Sequence, residues 1–251
     1  MATSFGALST DFYVNLKLAL KMDLPRERET VLHFFDRVRR ARPSMDRFKR
    51  YEGELALEAS RRDSEYTWLA LRRNSIRTGH VNPTTLEDAA SYHRMILELV
   101  PHHLTISPLD IDYTELMFGF DLECRDNHDE IIYDALYADS QMGNLLKSAN
   151  GRVLDVQPVF GMSLNERGDA QAYFEVKSRP RSRKGSSRAY RGEPITLFLT
   201  VRQYGPVERI EDLPPALDKL MTTCEALATD KLLPDLLTPI ARMISARSAG
   251  S

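Results

Sequence analysis

Cysteine is scarce in this chain of 251 residues: only Cys124 and Cys224 occur, 100 positions apart and without CxxC spacing. That excludes a disulfide framework and the usual zinc-binding patterns, and makes a reducing compartment, the cytoplasm, the expected location. Long hydrophobic runs are missing as well. No stretch approaches the roughly 20 apolar residues needed to cross a bilayer, so no membrane span is expected. The opening MATSFGALSTDFYVNLKL lacks the basic and apolar blocks of a signal peptide. Nor is there an excess of charge of one sign. The net value is −2, so any affinity for a polyanion has to come from a local patch.

Catalytic signatures are equally absent. The sequence has no GxSxG elbow, no GxxxxGK[ST] loop and no GxGxxG after a strand. Its six histidines (His33, His80, His93, His102, His103 and His128) form neither HExxH nor another repeated ligand spacing, so no metal and no cofactor is expected. Cys124 lies four residues before His128, which makes a thiol–imidazole pair conceivable, but nothing in the pattern orients it or supplies an oxyanion site. His93 and Cys224 fall in helical apolar stripes and read as core residues; Trp68 reads as a strand packing residue.

What is present is regular alternation. In DFYVNLKLALK, Phe12, Val14, Leu16, Leu18 and Leu20 recur with a period of two and mark a half-buried strand. The next segment places Val31, Phe34, Phe35 and Val38 at helical spacing, with Pro25 suited to a first helical position and Pro43 to a stop. Two strands follow, GELALEA and YTWLALRRNSI, joined by RRDSE. A second helix opens at Asn82-Pro83 with Thr84 and Glu87 at capping-box spacing, and Pro101 ends it. The connector LTISPLDID leads to a strand ELMFGFDLEC and then to a helix over NHDEIIYDALYADSQMGNLL, with Asn127 as N-cap. RVLDVQPVFGMSL and QAYFEVKS read as strands joined at NERGD; PITLFLTVRQYG is a further strand and LPPALDKLMTTCEALA a helix.

The two halves share one order: strand, helix, strands, helix. The expected fold is therefore α+β, built from internally duplicated units over residues 10–103 and 113–228 and joined by a connector at 104–112. Together they would form an antiparallel sheet with helices packed on one face. An amphipathic segment and tail, 229–251, stand outside the repeat and either cover core on their own sheet or dock on another chain. The layout resembles duplicated α+β folds such as the TATA-box binding protein, a likeness of arrangement that carries no residue motif and implies no function.

Two surfaces attract functional readings. An open sheet face would carry Tyr13, Asn15 and Lys17 from one half and Tyr173, Glu175, Phe198, Thr200 and Arg202 from the other. Its mixture of aromatic and long polar side chains suits self-association or a protein partner. The second surface is KSRPRSRKGSSRAYRGEP at 177–194, where seven of 18 residues are basic and one is acidic. Lys177, Arg179, Arg181, Arg183, Lys184, Arg188 and Arg191 suit phosphate geometry, which makes nucleic acid or a phospholigand the alternative partner. A solvated hairpin loop explains the same composition. Charge is also uneven along the chain: Arg26–Arg50 holds nine basic and four acidic residues, while Thr105–Asp139 holds ten acidic and one basic. The leading reading is a non-enzymatic binding or assembly protein, with an enzyme using a cleft between the repeats as the remaining alternative.

Overall fold

The computed structural model describes residues 5–60, 64–145, 151–178 and 193–249. Nine antiparallel strands form one open sheet: β1 (Asp11–Leu20), β2 (Arg47–Tyr51), β3 (Glu54–Glu58), β4 (Tyr66–Leu71), β5 (Ser75–Val81), β6 (Ile111–Leu122), β7 (Val159–Ser163), β8 (Ala170–Lys177) and β9 (Ile195–Tyr204). Their order across the sheet is β2-β3-β4-β5-β1-β6-β9-β8-β7. The central pair is thus β1 beside β6, two long alternating runs. Helices α1 (Arg28–Ala41), α2 (Leu86–Leu104), α3 (His128–Leu136), α4 (Leu213–Leu227) and α5 (Thr238–Ala249) complete an α+β architecture. Among the described residues no helix is long and apolar enough to cross a membrane.

The period of two becomes a partition of the sheet. Phe12, Val14, Leu16 and Leu18 of β1, with Leu116, Phe118 and Phe120 of β6, enter one core with Leu197, Leu199 and Val201 of β9. The helices close over that side through their own stripes: Val31, Phe34, Phe35 and Val38 from α1, Ile96, Leu97 and Val100 from α2, and Leu217, Leu220 and Cys224 from α4. Phe12, Phe118 and Phe120 meet at ring-centroid distances of 5.4 and 5.1 Å from Phe12, beside Phe5. The C-terminal segment covers core on its own sheet. It leaves α4 as a π-helical stretch, Ala228–Leu237, and continues into α5, burying Leu232, Leu237 and Ile240. Arg247 of α5 pairs with Glu130 of α3 at 3.1 Å and also with Asp134.

Several sequence expectations need correction. Helix α1 starts at Arg28, three residues beyond Pro25. Helix α2 is capped by Thr85, not Thr84, with the Thr85 hydroxyl accepting from the Asp88 N–H at 3.0 Å. It also passes through Pro101: the missing N–H removes one intrahelical bond, yet the coil continues to Leu104 and closes where Thr105 adopts φ +55°. YTWLALRRNSI is the hairpin β4–β5, with Arg72 N–H bonded to Ser75 O at 2.9 Å in the turn. Strand β2, RFKRY, escaped notice because every residue in it is exposed and it shows no alternation of burial. Regular structure also occupies less of two segments than expected, leaving α3 at nine residues and β7 at five.

Candidate partner-binding face

Because side chains alternate along each strand, the residues between the core positions share the opposite side of the sheet. Register sets them in rows. One row reads Tyr173, Thr200, Met117, Asn15, Gly79 and Trp68 across β8, β9, β6, β1, β5 and β4. The next holds Glu175, Phe198, Gly119 and Tyr13. A third holds Gln171, Arg202, Glu115, Lys17 and Arg77. All eight residues expected on an open face occupy these three adjacent rows, and all eight are only half-buried.

Three glycines shape the surface. A Cβ at Gly79 would lie 2.2 Å from Trp68 Nε1, one at Gly119 2.1 Å from Tyr13 Cε2, and one at Gly161 2.8 Å from Tyr173 Cε1. Each glycine is the register partner of the aromatic residue that lies against it. The rings therefore lie down across bare backbone instead of standing off the sheet, an arrangement that seats an aromatic beside a glycine in a strand. The sequence reading missed this feature. Its signal was a glycine interrupting an alternating strand, in RTGHV, MFGFD and VFGMS, with an aromatic at the facing register position.

Two cations of the face, Arg202 and Lys177, are paired with carboxylates within it. Arg202 Nε donates to Glu115 Oε2 at 2.8 Å and Nη1 donates to the Tyr204 hydroxyl at 2.7 Å. Its guanidinium also lies 4.5, 5.6 and 5.5 Å from the ring centres of Tyr113, Tyr173 and Tyr204. Desolvation alone would lower the pKa of Arg202, but the bonds to Tyr204 and Glu115 outweigh it and hold the proton more tightly than usual. Lys17 Nζ donates to the Tyr113 hydroxyl. Lys177 Nζ stands 3.2 Å from Glu175 and 5.1 Å from the centre of the Phe198 ring. In the middle row Asn15 Oδ1 is buried with no donor among the described residues. The other basic candidates, Arg179, Arg181, Arg183, Lys184, Arg188 and Arg191, lie outside the described residues.

The groups weighed for catalysis stand differently. His128 Nε2 lies 3.4 Å from the backbone carbonyl oxygen of Cys124, and the Cys124 thiol lies 3.9 Å from Asp126 O. Burial pushes the thiol pKa up and the imidazole pKa down, the reverse of what a thiolate–imidazolium pair needs. Cys124 and Asp121 do border one recess, together with Asp11, Glu123 and Glu193. Among the described residues no three His, Cys, Asp or Glu side chains converge as a metal site. His93 is fully buried in the core and bonded at both ring nitrogens, to Thr78 Oγ1 at 2.7 Å and Val14 O at 3.2 Å. The chain matches no protein-family model and no curated protein.

Proposed function

We propose that the chain is a non-enzymatic binding protein whose open sheet face receives a protein partner. The observation that carries this reading is the face itself: rings pressed flat over Gly79, Gly119 and Gly161 beside the ion pairs Arg202–Glu115 and Lys177–Glu175. Flat aromatic area at low entropic cost, ringed by oriented polar groups, is what protein interfaces use for anchoring. These two pairs favour a protein over a polyanion. Phosphates laid across these rows would meet Glu115 and Glu175 as like charges, and Arg202 and Lys177 are already engaged. Asn15 Oδ1, buried without a donor among the described residues, adds a cost of about 1–3 kcal/mol, a kind of cost that collects at working surfaces.

The same reading includes a doubled origin for the sheet. Outward from the central pair the order is β1-β5-β4-β3-β2 on one side and β6-β9-β8-β7 on the other. In each direction the central strand is followed in sequence by a helix, and its sheet neighbour by another. Units at 10–103 and 113–228 account for that order, with the face as their joint surface.

The test is cross-linked capture from cells expressing the tagged chain, followed by hydroxyl-radical footprinting of the recovered complex. Protection should concentrate at Tyr13, Tyr173 and Phe198, and a Phe198→Asp variant should lose capture while remaining folded. Capture that depends on nucleic acid and disappears when residues 179–191 are deleted would sink this reading in favour of the basic loop.

A further inference from the structure

The two edges of the sheet are built differently. Strand β2, at one end, presents Arg47, Lys49 and Arg50 within five residues, a charge density that repels another strand edge. Strand β7, at the other end, reads VFGMS and carries no charge at all. Val159 and Phe160 are 62% and 64% exposed. The backbone shows which groups remain to be paired. Val176 N–H bonds to Pro158 O at 2.9 Å and Leu164 N–H bonds to Ala170 O at 2.7 Å, so the even-numbered residues of this stretch turn toward β8. By antiparallel alternation Val159, Gly161 and Ser163 turn their N–H and C=O groups outward. No hydrogen bond engages those outward backbone groups among the described residues.

We infer that β7 pairs antiparallel with β7 of a second copy of this chain across a two-fold axis at Gly161. The occupant follows from self-complementarity. Centred on Gly161, this register sets each outward-facing residue against another: Gly161 against the partner's Gly161, and Val159 against the partner's Ser163. Both hydrogen bonds of every such pair can then form. Between them Phe160 comes opposite the partner's Met162, on the side of the sheet where β7 faces Phe174 and Ala172. An exposed ring then gains a thioether neighbour and leaves water. No like charges meet, and the axis passes through a residue without a side chain. The result is one sheet continuous through two chains, with both open faces on its same side. This inference does not rest on the partner-binding reading, since it uses only edge groups.

Light scattering on a sizing column tests it with the full chain over a range of concentrations. The expected mass is twice the 28.7 kDa of the chain, falling to that of the single chain on dilution. Ser163→Pro removes an N–H that points away from β8, so the β7–β8 ladder survives and the dimer does not. Phe160→Lys should act the same way, and Arg50→Ala at the other edge should leave the dimer intact. Should either edge variant unfold, by its circular dichroism, the double variant Val159→Cys, Ser163→Cys decides the matter. Directly opposed positions in this register lie within disulfide reach, and oxidation should give a covalent dimer. A wild-type chain that stays at 28.7 kDa overturns the inference. So does a dimer that survives Ser163→Pro and yields no cross-link. Loss of the dimer with the Phe198-dependent capture retained would separate this contact from the open-face reading.

Discussion

Strand β6 displays both sides of this molecule within one run of residues. Leu116, Phe118 and Phe120 are fully buried beneath helices, whereas Glu115, Met117 and Gly119 between them face the other way into rows of half-exposed partners. The two faces follow different physics. On the helix side energy scales with apolar area removed from water and with the absence of voids. On the open side it depends on matched charges and on rings fitted over missing side chains. The comparison teaches that mutations two positions apart act through one mechanism, and mutations one position apart through different ones.

The hardest break of that comparison is Phe118→Ala. The ring touches those of Phe5 and Phe12 and has no exposed surface, so its loss leaves a cavity that the packed sheet cannot close. A cost of about 3–5 kcal/mol is expected. Met117→Ala, one residue away on the open side, should cost less than about half as much. Urea unfolding of both variants measures the difference directly, and equal losses would show that the faces are not distinct.

How much of this was legible beforehand follows from the same division. The helix side announced itself because burial demands apolar residues, and periods of two and 3.6 in DFYVNLKLAL or VLHFFDRV can be read without coordinates. The rows of the open face were partly legible, since alternation assigns Tyr13, Asn15 and Lys17 to one side as soon as Phe12 and Val14 are assigned to the other. What could not be read was which strands become neighbours. Only register places Gly119 under Tyr13 or Arg202 beside Glu115, and these are contacts between residues 106 and 87 positions apart. Strand β2 was hidden for a related reason: an edge strand defended by charge has no buried partner to impose a pattern.

Acid should weaken the helix side selectively. Burial holds the His93 pKa down at about 3 from its ordinary 6.5, helped by the nearby charge of His80, while the Val14 carbonyl opposes the shift and Arg42 adds to it. His80 is also lowered, mainly by burial, against the pull of Glu65. A lowered folded pKa means that the unfolded chain takes up the proton first. Stability from a neutral His93 is therefore complete above pH 6.5 and drains away as pH falls toward 3. The slope is about 1.4 kcal/mol per pH unit, or about 2 kcal/mol between pH 6.5 and 5. Denaturant titrations at those two values should show it, and His93→Gln should flatten the slope whatever it does to stability at neutral pH. An unchanged slope in that variant would move the acid sensitivity elsewhere.

The smallest effect is the most specific to the open side. Gly119→Ala adds one methyl group, which on an ordinary half-exposed strand position would help, since alanine restricts the unfolded chain more than glycine does. Here the new Cβ falls 2.1 Å from the Tyr13 ring, so the ring has to lift from the sheet. The expected net loss is about 1 kcal/mol, at the low end for overpacking because the ring is the free end of a side chain. In Tyr13→Ala the obstacle is gone, and the same glycine substitution should become neutral or stabilising. A double-mutant cycle measured by urea unfolding gives the coupling, and it should have the sign of relief. Additive effects would mean that the ring does not lie across Gly119, and the flat aromatic surface on which the partner-binding reading depends would be lost.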